Sequence, residues 1–204
     1  MQQAWNRTHA EQPLVQQPQA EVVHFAEYLC TCLPHGALVL DAGCGRGRNA
    51  RHLCKLGFAV CACDLSPSAI AIAQQQTASA HFQVADLTHL PYPDNYFAAS
   101  VCSRVLPYHT KSDLVRSLGE LWRVLQPDGK LYLDLLDCTD AEYGKGTEIE
   151  SHTFLDEGQV PIHFCTRAEI EDMLKGFRIE YEARLVQGSN RVVWEFWLSK
   201  GTLP

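Results

Sequence analysis

Short apolar runs bounded by turn residues recur along this chain, with stretches of helical spacing between them. Residues 37–43, ALVLDAG, are too short for a helix and close on glycine, which predicts a buried strand. Residues 48–56, RNARHLCKL, carry helical spacing and stop at Gly57. Residues 58–65, FAVCACDL, predict a second buried strand. Ser66 as N-cap and Pro67 in the first turn then open a helix over SAIAIAQQQ. Further strands are predicted over 81–87 and 97–105, and over KLYLDLLD after the turn at 127–129. Thr110 with Asp113, and Thr166 with Glu169, have capping-box spacing ahead of KSDLVRSLGELWRVL and AEIEDMLKG. Residues 20–33, AEVVHFAEYLCTCL, also read as a helix. The last segments, FRIEYEARLV and RVVWEFWLS around QGSN, alternate and predict an antiparallel hairpin. Two stretches lack a period. Residues 1–19 are expected as a loose polar arm or lid, and residues 138–165 as a long connecting loop or lid.

Strands alternating with helices require parallel crossovers, so the expected fold class is α/β, a doubly wound, mostly parallel sheet ending in the antiparallel hairpin. The expected organisation is the arm, 1–19, and one domain, 20–204. Net charge is −7, which argues against a broad nucleic-acid surface. No apolar run has the length of a membrane helix and the N-terminus has no signal-peptide core, so the expected location is cytoplasmic. Nine cysteines without a secretion signal do not suggest a disulfide framework, and no paired zinc-ligand spacing is present. They are expected to be small buried apolar fillers, and no metal is expected.

The chemistry gathers at VLDAGCGRGRN, residues 39–49. A predicted buried strand ends in Asp41, and three glycines follow at alternating positions, 43, 45 and 47. Glycine permits positive φ and close approach of a ligand to the backbone. In an open α/β sheet such a loop lies at the carboxyl ends of the strands, where ligands bind. Asp64 ends the second predicted strand, where an acid accepts from ribose hydroxyls. A dinucleotide site requires G-x-G-x-x-G, but the spacing here is G-x-G-x-G, with Arg48 in the place of the third dinucleotide glycine. Asp41 suits a ligand with a cationic ammonium better than a pyrophosphate.

Together, VLDAGCGRGRNARHL, VCACDLSPSAI, VADLTHLPYPDNYFAASVCSRVLPY and ELWRVLQPDGKLYL resemble the class I S-adenosylmethionine-dependent methyltransferases, in order and over about residues 22 to 200. The resemblance implies a seven-stranded, Rossmann-like sheet and S-adenosyl-L-methionine as cofactor, with S-adenosyl-L-homocysteine as product. It implies cofactor contacts from Asp41, Ala42, Gly43, Gly45, Arg48 and Asn49 to the methionine and ribose part. Asp64 would take the ribose diol and Leu65 would lie beside the adenine. Asp86 would accept from the adenine amino group, Leu87 would pack on the ring, and Ser103 would lie near the methionine moiety. The GRGRN ending is similar to the tellurite-resistance branch of the family.

The sulfonium is already a strong methyl donor, so the protein chiefly binds, aligns and excludes water. Family members that methylate DNA bases or protein amides carry Asn/Asp-Pro-Pro-Tyr/Phe after the fourth strand. Here Ser103, Arg104, Val105 and Leu106 stand there, and that branch is disfavoured. Tyr108 and His109 are the candidate catalytic residues, although an exposed histidine ahead of a helix is the plainer reading of His109. Asp134 faces either the pocket or a neighbouring helix. The acids of 138–165 give either a solvated surface or a lid that disfavours anionic substrates, and His163 is a candidate pocket residue there. Trp5 is expected to fold over the cofactor. The function expected is methyl transfer to a small-molecule acceptor by a monomer or homodimer, without nucleic-acid or membrane partners. Chalcogen or thiol methylation, and a non-catalytic cofactor-binding protein, are the alternatives.

Overall fold

The computed structural model describes residues 2–11, 17–188 and 190–201, the side chains of 8–11 excepted. Ser189 in the predicted QGSN turn, and part of the arm, lie outside the described residues. The strands are β1 (Leu38–Ala42), β2 (Ala59–Asp64), β3 (Ala80–Val84), β4 (Phe97–Cys102), β5 (Leu125–Asp137), β6 (Thr147–Glu150), β7 (Thr153–Leu155), β8 (Pro161–Cys165), β9 (Phe177–Gln187) and β10 (Arg191–Lys200). The helices are α1 (Gln2–Glu11), α2 (Ala20–Cys32), α3 (Arg48–Lys55), α4 (Pro67–Gln76), α5 (Lys111–Val124) and α6 (Arg167–Met173).

Strands run β3-β2-β1-β4-β5, all parallel, and β10 then pairs antiparallel to β5 with β9 outside it. This is the expected Rossmann-like sheet with its closing hairpin. Period-two alternation sends neighbouring residues to opposite faces. Val39 packs with Phe25 and Leu29 of α2 and Leu53 of α3, whereas Leu40 packs with Leu114, Leu118 and Leu121 of α5. Both faces are therefore covered, which is why β1, β4 and the second half of β5 read as nearly continuous apolar runs.

The helix starts follow the local chemistry. Ser66 Oγ accepts from the Ala69 amide at 3.2 Å, and Thr166 and Glu169 form the full reciprocal capping box. Thr110 Oγ1 accepts from the Asp113 amide at 3.3 Å.

Two expectations are corrected. The polar arm is a helix, α1, laid on α4. Asn6 Oδ1 accepts from Ser66 Oγ at 2.6 Å and from Ser68 Oγ at 3.1 Å, and Gln2 Nε2 donates to Leu65 O at 3.0 Å. Its polar residues looked loose because they bond to another helix start rather than bury an apolar stripe. Residues 138–165 are not one long loop. After the turns of 138–146 they fold as β6, β7 and β8, an antiparallel ladder hung on the end of β5 through Leu136 and Phe164. Strands of three to five residues leave too few positions for alternation to show. Within it Asp140 is buried, accepting from the Val192 amide at 2.7 Å, and Glu150 accepts from the Lys111 amide at 2.6 Å. These two acids brace the ladder, whereas Glu142, Glu148 and Glu157 are exposed to solvent.

The cysteines are all free, and Cys44, Cys63, Cys102 and Cys165 are buried fillers. Cys30 and Cys32 depart from that expectation, because both lie on the exposed side of α2. No helix among the described residues is long and apolar enough to cross a membrane.

Candidate active site

The chain leaves β1 in one direction to build β2 and β3, then returns to place β4 on the other side of β1. A crevice opens at this switch point, at the carboxyl ends of the strands. It is a cleft of about 430 Å³. Gly43, Gly45, Arg46, Arg48 and Asn49 line it after β1, Asp64 and Leu65 at β2, and Asp86 and Leu87 beyond β3. Ser103, Arg104, Val105, Tyr108 and His109 line it after β4, and Trp5 of α1 reaches it from outside.

The glycines of the opening loop adopt left-handed conformations, with φ of 74° at Gly43 and 52° at Gly45. At Gly43 the requirement is also steric, because a Cβ there would lie 2.3 Å from Val105 Cγ2. The loops after β1 and β4 thus meet across the switch point only if residue 43 has no side chain. Asp64 braces the same loop, its Oδ2 accepting from the Gly45 amide at 2.8 Å and its Oδ1 from the Ser66 amide at 2.9 Å. Each oxygen retains a lone pair, so this acid both shapes the loop and keeps acceptor capacity for a diol.

Asp41 is 1% exposed and lies beneath the lining rather than on it. Its Oδ2 has no hydrogen-bond partner among the described residues. Burial lifts its pKa to about 7, against the Ala50 backbone amide, which donates to it and holds it down. An orphaned, buried carboxylate oxygen under a glycine loop is what a cationic ammonium would satisfy. Beside it α3 starts at Gly47 without a side-chain cap or an acid in its first turn, which suits a carboxylate. The residues present therefore fit an α-amino acid carrying a nucleoside.

The other expected residues divide. Leu65, Asp86 and Leu87 line the cleft. Asp86 Oδ1 accepts from the Thr88 amide and hydroxyl at 2.9 and 2.8 Å, which leaves Oδ2 to the opening. Ala42 is fully buried in the core and off the lining. Asn49 is held by the fold, its Oδ1 accepting from the Gln19 amide at 3.2 Å. Ser103 Oγ donates to Asp134 Oδ2 at 3.2 Å.

Tyr108 and His109 both line the cleft. His109 is not the exposed residue that its position ahead of α5 suggests. It is 8% exposed, its Nδ1 lies 3.1 Å from Val105 O, and burial lowers its pKa. The ring is thus neutral near pH 7 with its Nδ1 proton on the carbonyl. The Tyr108 ring meets Trp5 edge-on at 5.3 Å, and its hydroxyl accepts from Arg191 at 3.2 Å. His163 and Phe164 are buried under the β6–β8 ladder and do not reach the cleft.

Asp134, expected to face either the pocket or a neighbouring helix, instead holds the turn after β4, and Arg104 is a lining residue that the sequence reading did not single out. Arg104 has φ of 58°, and its amide donates to both oxygens of Asp134 at 2.8 and 3.0 Å. Asp134 is 6% exposed, and burial lifts its pKa to about 6.

Residues 40–133 match the family model described as a methyltransferase domain. The chain is 37% identical over 101 residues to a malonyl-[acyl-carrier protein] O-methyltransferase of Serratia marcescens, over 50% of this chain and 39% of that protein. It is 31% identical over 116 residues to the putative methyltransferase YqeM of Bacillus subtilis, over 54% and 47% respectively. The chain thus spans less than half the length of these curated relatives. A solved S-adenosylmethionine-dependent methyltransferase from Methanosarcina mazei superposes with a TM-score of 0.75 at 23% identity, over 91% of this chain and 99% of that one. The 1,6-didemethyltoxoflavin-N1-methyltransferase of Burkholderia thailandensis, solved with S-adenosylhomocysteine, gives 0.69 at 21% identity, over 89% and 79%. The matched segment is similar to a methyltransferase domain, and the chain shares the Rossmann-like methyltransferase fold of these solved structures.

Proposed function

We propose that this protein binds S-adenosylmethionine in the switch-point cleft and transfers its methyl group to a small acceptor, free or borne on a carrier. The carrying observation is the convergence, in one cleft, of the left-handed glycine loop, Asp64, the free oxygen of Asp86 and the orphaned Asp41 below. The cofactor supplies an activated methyl on a sulfonium, and the chain's own residues do the rest. Asp41 offsets the ammonium, Asp64 accepts from the ribose diol, and Asp86 with Leu87 holds the base. Ser103 and the turn through Tyr108 form the wall facing the methyl, and Trp5 covers the opening and excludes water. His109 fixes that turn through Val105 and retains an acceptor nitrogen, Nε2, for an acceptor that must lose a proton.

The relatives named for malonyl-[acyl-carrier protein] favour an acceptor on a carrier at least as much as a free metabolite. An acidic chain of net charge −7 suits either better than a nucleic acid. Free thiols, including the exposed Cys30 and Cys32, fit a reducing compartment such as the cytoplasm. The test is production of S-adenosylhomocysteine when the protein is given the cofactor and pooled acceptors of carboxylate, amine, hydroxyl and thiol type. Turnover with one class, lost in Asp64→Asn, supports the reading. Tight cofactor binding with no turnover of any class leaves a non-catalytic binding protein and contradicts it.

A further inference from the structure

The buried acids differ in how fully their oxygens are satisfied. Among the described residues, Asp64, Asp134, Asp137 and Asp140 each have both carboxylate oxygens engaged as acceptors. Asp41 and Glu195 each keep one oxygen without a partner. A buried acceptor left unpaired calls for a group that the chain itself does not supply. The free oxygen of Asp41 lies beneath the cofactor cleft and is met by the ammonium. Glu195 has no part in that arrangement. It is 5% exposed, and its one hydrogen bond is accepted by Oε1 from Trp197 Nε1, two residues on, at 3.3 Å.

Glu195 stands on β10 directly across from Asp134 of β5. Like charges opposite one another on neighbouring strands are destabilising. Asp134 is accounted for, because it holds the turn after β4 through the Arg104 amide. Glu195 holds no turn and no helix start. Both acids line a recess of about 20 Å³, room for about one water-sized group. The recess shares Ser103 and Arg104 with the cofactor cleft, so it opens through the wall that faces the methyl. Leu185 and Val193 make one side apolar, while Arg104 and Arg191 bring positive charge to its wall. Burial raises the Glu195 pKa. The Trp197 bond opposes that rise, the charge of Glu21 on α2 adds to it, and His24 on α2 opposes it. A carboxylate so placed takes up a proton more readily than an exposed one.

We infer that Glu195 is the general base of the reaction, and that the acceptor atom is the oxygen of an acidic hydroxyl, phenolic or enolic, held at the mouth of the recess; this rests on the methyl-transfer reading above. A hydroxyl is the group that uses every part of this wall. It donates to the free oxygen of Glu195 and accepts from an arginine, which offsets the negative charge that grows on oxygen as the proton leaves. The hydroxyl oxygen forms the new bond to the methyl carbon, and the electron pair of the broken methyl–sulfur bond passes to sulfur. The proton goes to Glu195 and from there to solvent. A methyl ether, a thioether and a neutral carboxyl result, so the positive sulfonium and the negative carboxylate are both discharged. A phenol, which ionises near pH 10, is within reach of a carboxylate base as an alkanol is not. His109 Nε2 is the competing base, and the two are told apart by which variant alters the pH profile.

The test is S-adenosylhomocysteine formation from phenol, 4-hydroxyacetophenone and 4-cyanophenol, with benzoate and benzylamine as comparators of the same ring size. The phenols are expected to react at least about tenfold faster than either comparator. The pH profile of kcat/KM should have an acidic limb, with activity falling as Glu195 is protonated. Glu195→Gln should lower kcat about 10²- to 10⁴-fold and abolish that limb, with acceptor KM, S-adenosylhomocysteine Kd and melting temperature little changed. Glu195→Asp should keep the limb at reduced kcat. Glu21→Gln should move it to lower pH, because the charge that raises the Glu195 pKa is gone. An acidic limb that survives Glu195→Gln, a change confined to KM, or turnover of benzoate or benzylamine without turnover of any phenol would each overturn the proposal and leave methyl transfer standing. A protein that binds no S-adenosylhomocysteine, or forms none from any class of acceptor, removes the methyl-transfer reading together with this one.

Discussion

At the scale of single residues, two positions under the glycine loop carry the sharpest expectations. Asp41 ionises only with difficulty in the folded protein, since burial sets its pKa near 7. The raised value favours the protonated form when folded, so its contribution to stability is full below about pH 4 and is lost as pH rises through about 7. Asp134, raised to about 6, acts with the same sign. Binding of a cationic ammonium should draw the proton off Asp41, so S-adenosylhomocysteine affinity is expected to rise between pH 6 and pH 8. Calorimetry in buffers of different ionisation enthalpy should show proton release near pH 6, absent in Asp41→Asn. Affinity independent of pH would detach Asp41 from the ligand. Gly43→Ala meets both a left-handed backbone and the Val105 side chain, and is expected to destabilise by about 2 kcal/mol or more. Adding Val105→Ala should recover the steric part and not the conformational part, read as two shifts in denaturation midpoint. Asp41, Gly43 and Asp64 were legible as candidates from the sequence because each stands at a strand end or in the glycine loop. Arg104 was not, because its conformation depends on an aspartate in another strand.

At the scale of elements, capping chemistry and hydrophobic period located most helices and the parallel strands within a few residues. Thr166→Ala removes the reciprocal cap of α6, and a loss of about 1 kcal/mol is expected in chemical denaturation, with cofactor binding intact. The elements that escaped were those held by partners elsewhere. α1 is polar because Asn6 binds the start of α4, and β6 to β8 exist because β8 extends the ladder of β5. The position of α1 brings Trp5 to the lining of the cleft, against Tyr108. Trp5→Ala should weaken S-adenosylhomocysteine about tenfold, by loss of apolar burial, while the melting temperature changes little, since none of the core clusters includes α1. An unchanged Kd would mean that α1 packs on α4 without covering the ligand.

At the scale of the whole molecule, the sheet order explains why four separate motifs meet. Reversal of direction between β1 and β4 brings the loops after β1, β2, β3 and β4 to one crevice, and that convergence follows from topology rather than from any one motif. The order of motifs along the chain made the fold readable. The wall beyond Ser103 was less readable because it is assembled from residues after β4 and from β5 and β10, distant in sequence. The central claim is that the crevice binds the sulfonium cofactor and not a dinucleotide. Parallel calorimetric titrations with S-adenosylmethionine, S-adenosylhomocysteine and NAD, each repeated on Asp64→Asn, test it most directly. The account predicts micromolar binding of the first two, weakened at least about tenfold in the variant, and none of NAD. Binding of NAD alone, or binding of the first two untouched by Asp64→Asn, would contradict it.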